Sequence, residues 1–177
     1  VLPGVKSYSG NATFPGSLSL SGGDPDNPIL FEADGDALAI FTPPANQGAI
    51  GIDGPGGIHL RRLRAVGDGV SMAIGIELAD NGREPCRNLA VDDCEVEGFG
   101  LAGLAVWSYG QPVGVVAVKG GLYQRNAVGV LIGSVDEANP ELRIMQYVTL
   151  DGVTANDNDW RGESVAAGFG IALNATY

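Results

Sequence analysis

Four charged residues, Arg61, Asp92, Lys119 and Asp151, each follow directly on a pair of apolar residues two apart. They recur at offsets of 31, 27 and 32, and their signs alternate: cation, carboxylate, cation, carboxylate. Brought onto one surface, such a set could either transfer a proton or simply pair with itself. Proton transfer would turn on Lys119. A lysine base needs its pKa lowered by burial or by nearby cations, and flanking carboxylates act the other way. The plainer reading is that alternating charges on an exposed sheet are favourable cross-strand neighbours, each worth roughly a few tenths of a kcal/mol.

Other chemistries are thinly represented. A single histidine, His59, rules out a histidine-rich metal centre and leaves no Ser-His-Asp set to assemble. No GxxxxGK[ST] or CxxC stretch occurs. Trp107 and Tyr109 stand in "WSYGQPVG" and Trp160 in "NDWRGES", and exposed aromatics of this kind can serve as platforms for sugar rings. The alternative is that they pack over the edges of the fold. Asp157, Asp159 and Glu163 offer oxygen ligands for Ca2+, although such clusters more often mark turns.

The elements that must position these residues are repeats. "GIHLRRLRAVGDG", "LAVDDCEVEGFG", "VAVKGGLYQRNA" and "VTLDGVTANDND" share the apolar pairs Ile58/Leu60, Leu89/Val91, Val116/Val118 and Val148/Leu150. Three residues after each pair stands a small or apolar residue: Leu63, Cys94, Gly121 and Val153. Between them runs a second motif, a glycine followed by two apolar residues flanking one other, in "GIEL", "GLAV", "GVLI" and "GIAL", with "AIGI" as an earlier copy. Self-similarity near 30 residues marks a solenoid, and period-two alternation marks strands with one face inward. The sequence therefore predicts an all-β, single-stranded parallel β-helix, a solenoid. The break at Arg61-Arg62 is expected to be a corner between two sheets. Asp68, Asn126 and Asn158, each eight residues after the pair, are expected to hold the left-handed conformation of a second corner. Residues 1–48 read as an N-terminal cap or first coil and 49–177 as the β-helix coils. "GFGIALNATY" lacks a polar capping segment, so the chain reads as the N-terminal part of a longer β-helix, or as one whose C-terminal coil self-associates.

Composition agrees with this. Gly contributes 28 of 177 residues and charged types only 18%, which suits tight corners and stacked apolar ladders. The net charge of −11 argues against nucleic acid as a partner, since phosphate would be repelled. No 18-residue apolar run predicts a membrane span. Cys86 and Cys94 could pair in an oxidising compartment, but Cys94 occupies an inward ladder position, where a free thiol behaves as a small hydrophobe.

With these residues in view, "GSLSLSGGDPDNPILFEADGDALAIFTPP", "GIHLRRLRAVG", "GIEL", "NLAVDDCEVEGFGLAGLAV" and "GVLIG" resemble the secreted bacterial right-handed parallel β-helix repeat proteins of the pectate-lyase-like superfamily. The resemblance spans nearly the whole chain but lies in the scaffold. It implies a secreted protein acting on or holding a polysaccharide, as a lyase or glycoside hydrolase. It implies Lys119 or Arg61 as the base beside a uronate carboxylate, and Asp92, Asp93 and Asp151 as ligands for Ca2+. Trp107, Tyr109 and Trp160 would then contact substrate. A non-catalytic extracellular scaffold, adhesin or filament module is the other expectation, favoured by the absence of a compelling catalytic set.

Overall fold

The computed structural model describes residues 12–21, 23–33, 38–134, 145–158 and 169–174. These residues form seventeen short strands and no helix. Three parallel sheets result, stacked as a β-solenoid of about five turns. Sheet one comprises β1 (Ala12–Phe14), β4 (Ala39–Phe41), β7 (Leu63–Val66), β10 (Glu95–Glu97), β13 (Leu122–Gln124) and β16 (Thr154–Asn156). Sheet two comprises β2 (Leu18–Ser21), β5 (Ile50–Asp53), β8 (Ile74–Ala79), β11 (Ala102–Ser108), β14 (Val128–Ser134) and β17 (Phe169–Asn174). Sheet three comprises β3 (Ile29–Glu32), β6 (Gly56–Arg61), β9 (Cys86–Asp92), β12 (Val113–Lys119) and β15 (Met145–Asp151). Each strand from β1 to β14 pairs in parallel with the strand three later in the chain, so each turn visits the sheets in the order one, two, three.

The apolar pairs are the inward ladders. Ile58, Leu89, Val116 and Val148 stack in register, as do Leu60, Val91, Val118 and Leu150. The second motif builds the ladders of sheet two, with Ile50, Ile76, Leu104, Val130 and Ile171 in one file and Ile52, Leu78, Val106, Ile132 and Leu173 in the other. Central members are fully buried and form one continuous core. Val148 and Leu150, in the last described turn, are half-buried.

Left-handed backbone explains the corners. Arg62, Asp93, Gly120 and Gly152 all have positive φ, one residue after the outward charge in each turn. The break at Arg61-Arg62 is thus the turn from sheet three into sheet one. At the next corner the sequence expectation needs correction. The left-handed residues there are Gly98, Arg125 and Asp157, one position earlier than expected. Asn126 and Asn158 instead point inward and hydrogen-bond between coils. The Phe99 N–H donates to Asn126 Oδ1 at 3.0 Å, and Asn126 Nδ2 donates to the Val96 carbonyl at 3.1 Å. Asn158 repeats both bonds one turn later, accepting from the Asn126 N–H at 3.1 Å and donating to the Tyr123 carbonyl at 3.0 Å. An inward amide side chain is stable there because it satisfies backbone groups that the corner leaves without ladder partners. Asp68 does neither: its carboxylate accepts the N–H groups of Val70 and Ser71 within its own loop.

The glycine of the second motif follows from the same corner. A Cβ on Gly103 would lie 2.6 Å from Asn126 Nδ2 and 2.8 Å from the Gly129 carbonyl oxygen. On Gly129 it would meet Asn158 Nδ2 at 2.7 Å. Glycine is written there because the asparagine and the next coil occupy the space a side chain would need.

Candidate functional site

Sheet three carries the charge file on its outer face. Glu32, Arg61, Asp92, Lys119 and Asp151 lie opposite one another on successive strands. Glu32 adds a turn to the file and keeps the alternation. Its carboxylate meets Arg61 Nη1 at 3.3 Å and Arg62 Nη2 at 2.7 Å, and Arg61 Nε lies 3.8 Å from Asp92 Oδ2. Lys119 is exposed between Asp92 and Asp151 and lacks the burial that a lysine base uses. Asp93 turns away at the left-handed corner, where its carboxylate packs over Gly120. Among the described residues no three His, Cys, Asp or Glu side chains converge to hold a metal ion. His59 faces outward beside the file, with Nε2 3.1 Å from Asn88 Oδ1.

A more enclosed site lies on sheet two. A groove of about 560 Å³ is lined by Ser19, Gly51, Asp53, Glu77, Asn81 and Tyr109, with Asp80 at its base. Tyr109 belongs to the loop after β11, and Glu77 and Asp80 to the preceding turn. The Tyr109 hydroxyl donates to Glu77 Oε1 at 2.8 Å. The Tyr109 N–H donates to Asp80 Oδ2 at 2.6 Å, while Asp80 Oδ1 accepts the Gly82 N–H at 2.6 Å. Asp80 is buried, so its two charge-assisted bonds are strong and join two loops rigidly. The ring of Tyr109 is held at both ends, yet 48% of the residue is exposed. Burial, and then the bond to Glu77, push its hydroxyl pKa well above the ordinary range, so the phenol stays protonated. Such a site can offer an aromatic face and hydrogen-bond acceptors. Its carboxylates disfavour an anionic ligand.

The other residues singled out in the sequence fall elsewhere. Trp107 is outward on sheet two but half-buried against Ala102, Ala105, Val128 and Leu131, a small apolar cluster on the outside of that sheet. Trp160, Asp159 and Glu163 lie outside the described residues, and Asp157 sits at the corner with positive φ. A second groove, of about 380 Å³, runs along that corner past Asp68, Glu97, Arg125 and Asp157. Glu97 pairs there with Arg64 at 2.7 Å and with Arg125, and accepts from Gln124 at 3.3 Å. The Ser71 hydroxyl, followed by the backbone N–H groups of Ser71 and Val70, holds the Asp68 carboxyl down at about 2. Both cysteines are free and buried, and burial first of all pushes each thiol up to about 12.

Sequence reading missed Asp53, Glu77 and Asp80. One signal was present: Gly51, Glu77, Ala105, Leu131 and Ala172 form the outward file of sheet two, and Glu77 is the one charged member. Comparison with protein-family models, curated proteins and solved structures gives no match.

Proposed function

We propose that this chain is a carbohydrate-binding parallel β-solenoid, secreted, that holds a neutral glycan in the groove at Tyr109. The observation that carries this reading is the half-exposed Tyr109 ring, anchored by Glu77 through its hydroxyl and by Asp80 through its backbone N–H. A ring fixed in this way loses little entropy when a sugar stacks on it. Asp53 and Asn81 beside it supply polar groups for sugar hydroxyls. Uronate polymers, which the resemblance brought forward, fit less well, because Asp53 and Glu77 would face their carboxylates. Calorimetry against neutral and uronate oligosaccharides tests this. Binding of a neutral oligosaccharide that falls about tenfold or more in Tyr109→Ala, with Tyr109→Phe keeping most of it, is the expected result. Binding confined to uronates, or unchanged in Tyr109→Ala, overturns it.

A further inference from the structure

Asn81-Gly82 is the one Asn-Gly step in the sequence, and it stands in the turn after β8. Both residues are exposed, and Asn81 lines the Tyr109 groove beside Asp80. At such a step the backbone nitrogen of the second residue can attack the side-chain carbon Cγ of the first and close a succinimide ring. Glycine has no Cβ to shield that nitrogen. Gly82 also holds φ 71°, a conformation that residues with side chains rarely adopt. The turn therefore needs glycine, and glycine leaves the asparagine amide open to its own backbone.

The neighbours of this step supply what ring closure requires. The Gly82 N–H donates to Asp80 Oδ1 at 2.6 Å, which sets a carboxylate on the proton that must leave the attacking nitrogen. Asn81 Oδ1 accepts the N–H of Arg83 at 2.9 Å and the N–H of Glu84 at 3.2 Å. Two backbone donors thus meet the oxygen on which negative charge develops when Cγ becomes tetrahedral. Asn81 Nδ2 donates to Glu84 Oε1 at 3.4 Å, an orientation that keeps the amide oxygen towards those donors. Asp80 is itself fixed, since it is buried and accepts the Tyr109 N–H at 2.6 Å through its other oxygen. A base, a nucleophile and a pair of oxyanion donors converge on one peptide step.

We propose that Asn81 is a self-modification site, at which the folded chain deamidates its own side chain. Asp80 takes the proton from the Gly82 nitrogen, and the electron pair of that nitrogen forms a bond to Asn81 Cγ. The oxyanion on Oδ1 then collapses and breaks the bond from Cγ to Nδ2. Nδ2 departs as ammonia, and the proton it gains balances the one Asp80 took up, exchanged through solvent. Water adds to either carbonyl of the succinimide, breaks its bond to nitrogen, and leaves aspartate or isoaspartate in place of Asn81. Nothing is oxidised or reduced, and water is the only co-reactant. Either product places a further carboxylate in the groove beside Asp53, Glu77 and Asp80. The chemistry is independent of the glycan reading of that groove.

The same hydrogen bonds would serve a turn that only holds its shape, and the two roles part when the chain is unfolded. The whole protein is incubated at neutral pH, either folded or unfolded in guanidinium chloride. Asn81 is followed by peptide mapping with mass spectrometry and by enzymatic detection of isoaspartate. Modification at least about tenfold faster in the folded chain is expected, because the placed base and oxyanion donors exist only there. Asp80→Asn should remove most of that advantage in the folded chain and leave the unfolded rate unchanged, with circular dichroism confirming its fold. The wild-type comparison needs no variant, so it decides the matter even if Asp80→Asn fails to fold. A folded chain that modifies Asn81 no faster than the unfolded chain overturns the proposal, and so does a folded Asp80→Asn protein that keeps the wild-type rate. Glycan binding enters none of these measurements, so failure here and failure of the groove reading are told apart.

Discussion

The backbone N–H of Asn126 donates to the side-chain oxygen of Asn158, 32 residues later and one turn along the solenoid, at 3.1 Å. The side-chain oxygen of Asn126 in turn accepts the N–H of Phe99 in the turn before, so two inward amides tie three coils together. The two bonds of the Asn126 side chain are buried, and their cost when broken is that of unsatisfied backbone groups rather than of one hydrogen bond. Asn126→Ala should therefore lower unfolding free energy by about 2–3 kcal/mol, read from the urea midpoint at unchanged slope. Asn126→Asp should be no better, since it removes the donor to Val96 and buries a carboxylate.

The glycine beside that asparagine gives a paired test. Gly103→Ala places a Cβ against Asn126 Nδ2 and the next coil's carbonyl, and overpacking of this kind should cost about 3 kcal/mol. Gly51→Ala, in the outward file of the same sheet, meets nothing within 4 Å and should stay within about 0.5 kcal/mol of wild type. Equal destabilisation by the two would show that the motif glycine is not there for space.

Val115 stands at φ 54°, where the equivalent positions upstream are Gly57 and Asn88. Val115→Asn exchanges a β-branched residue for one that accepts left-handed backbone, and it should raise stability by roughly 0.5–1 kcal/mol. Thermal melts on dilute protein would register this as a higher Tm.

Cys86 and Cys94 bear on pH. Their folded pKa values of about 12 lie above the 9.0 of an exposed thiol. Below pH 9 both states hold the proton and the thiols cost nothing. Above it the unfolded chain releases protons that the folded chain keeps, so stability falls as pH rises from about 9 towards 12. The slope approaches about 1.4 kcal/mol per pH unit for a fully buried thiol such as Cys94. Native protein at pH 8 should react with a disulfide reagent far more slowly than protein unfolded in urea. Rapid labelling of either cysteine in the native state would contradict their burial.

Much of this molecule is legible without its coordinates, because an inward ladder is written with a period of two and a turn with a period near 30. Those spacings alone place Leu60 beside Val91 and Arg61 beside Asp92, whereas Phe31 and Glu32, in the stretch that reads as a cap or first coil, join the files only through strand pairing. Local sterics impose both rules, so a one-dimensional pattern carries them. The corner asparagines were misread because left-handed backbone and inward hydrogen bonding use the same residue types. Only the contact between coils shows that Asn126 turns inward and leaves the strained φ to Arg125. Glu77 lies within one copy of the second motif and Tyr109, 32 residues on, in the loop that follows the next copy. Their meeting depends on how one loop lies across the neighbouring turn, which the repeat does not encode. The alternation of charge along sheet three belongs to neither level alone: sequence supplied the signs, and parallel stacking set them in one line.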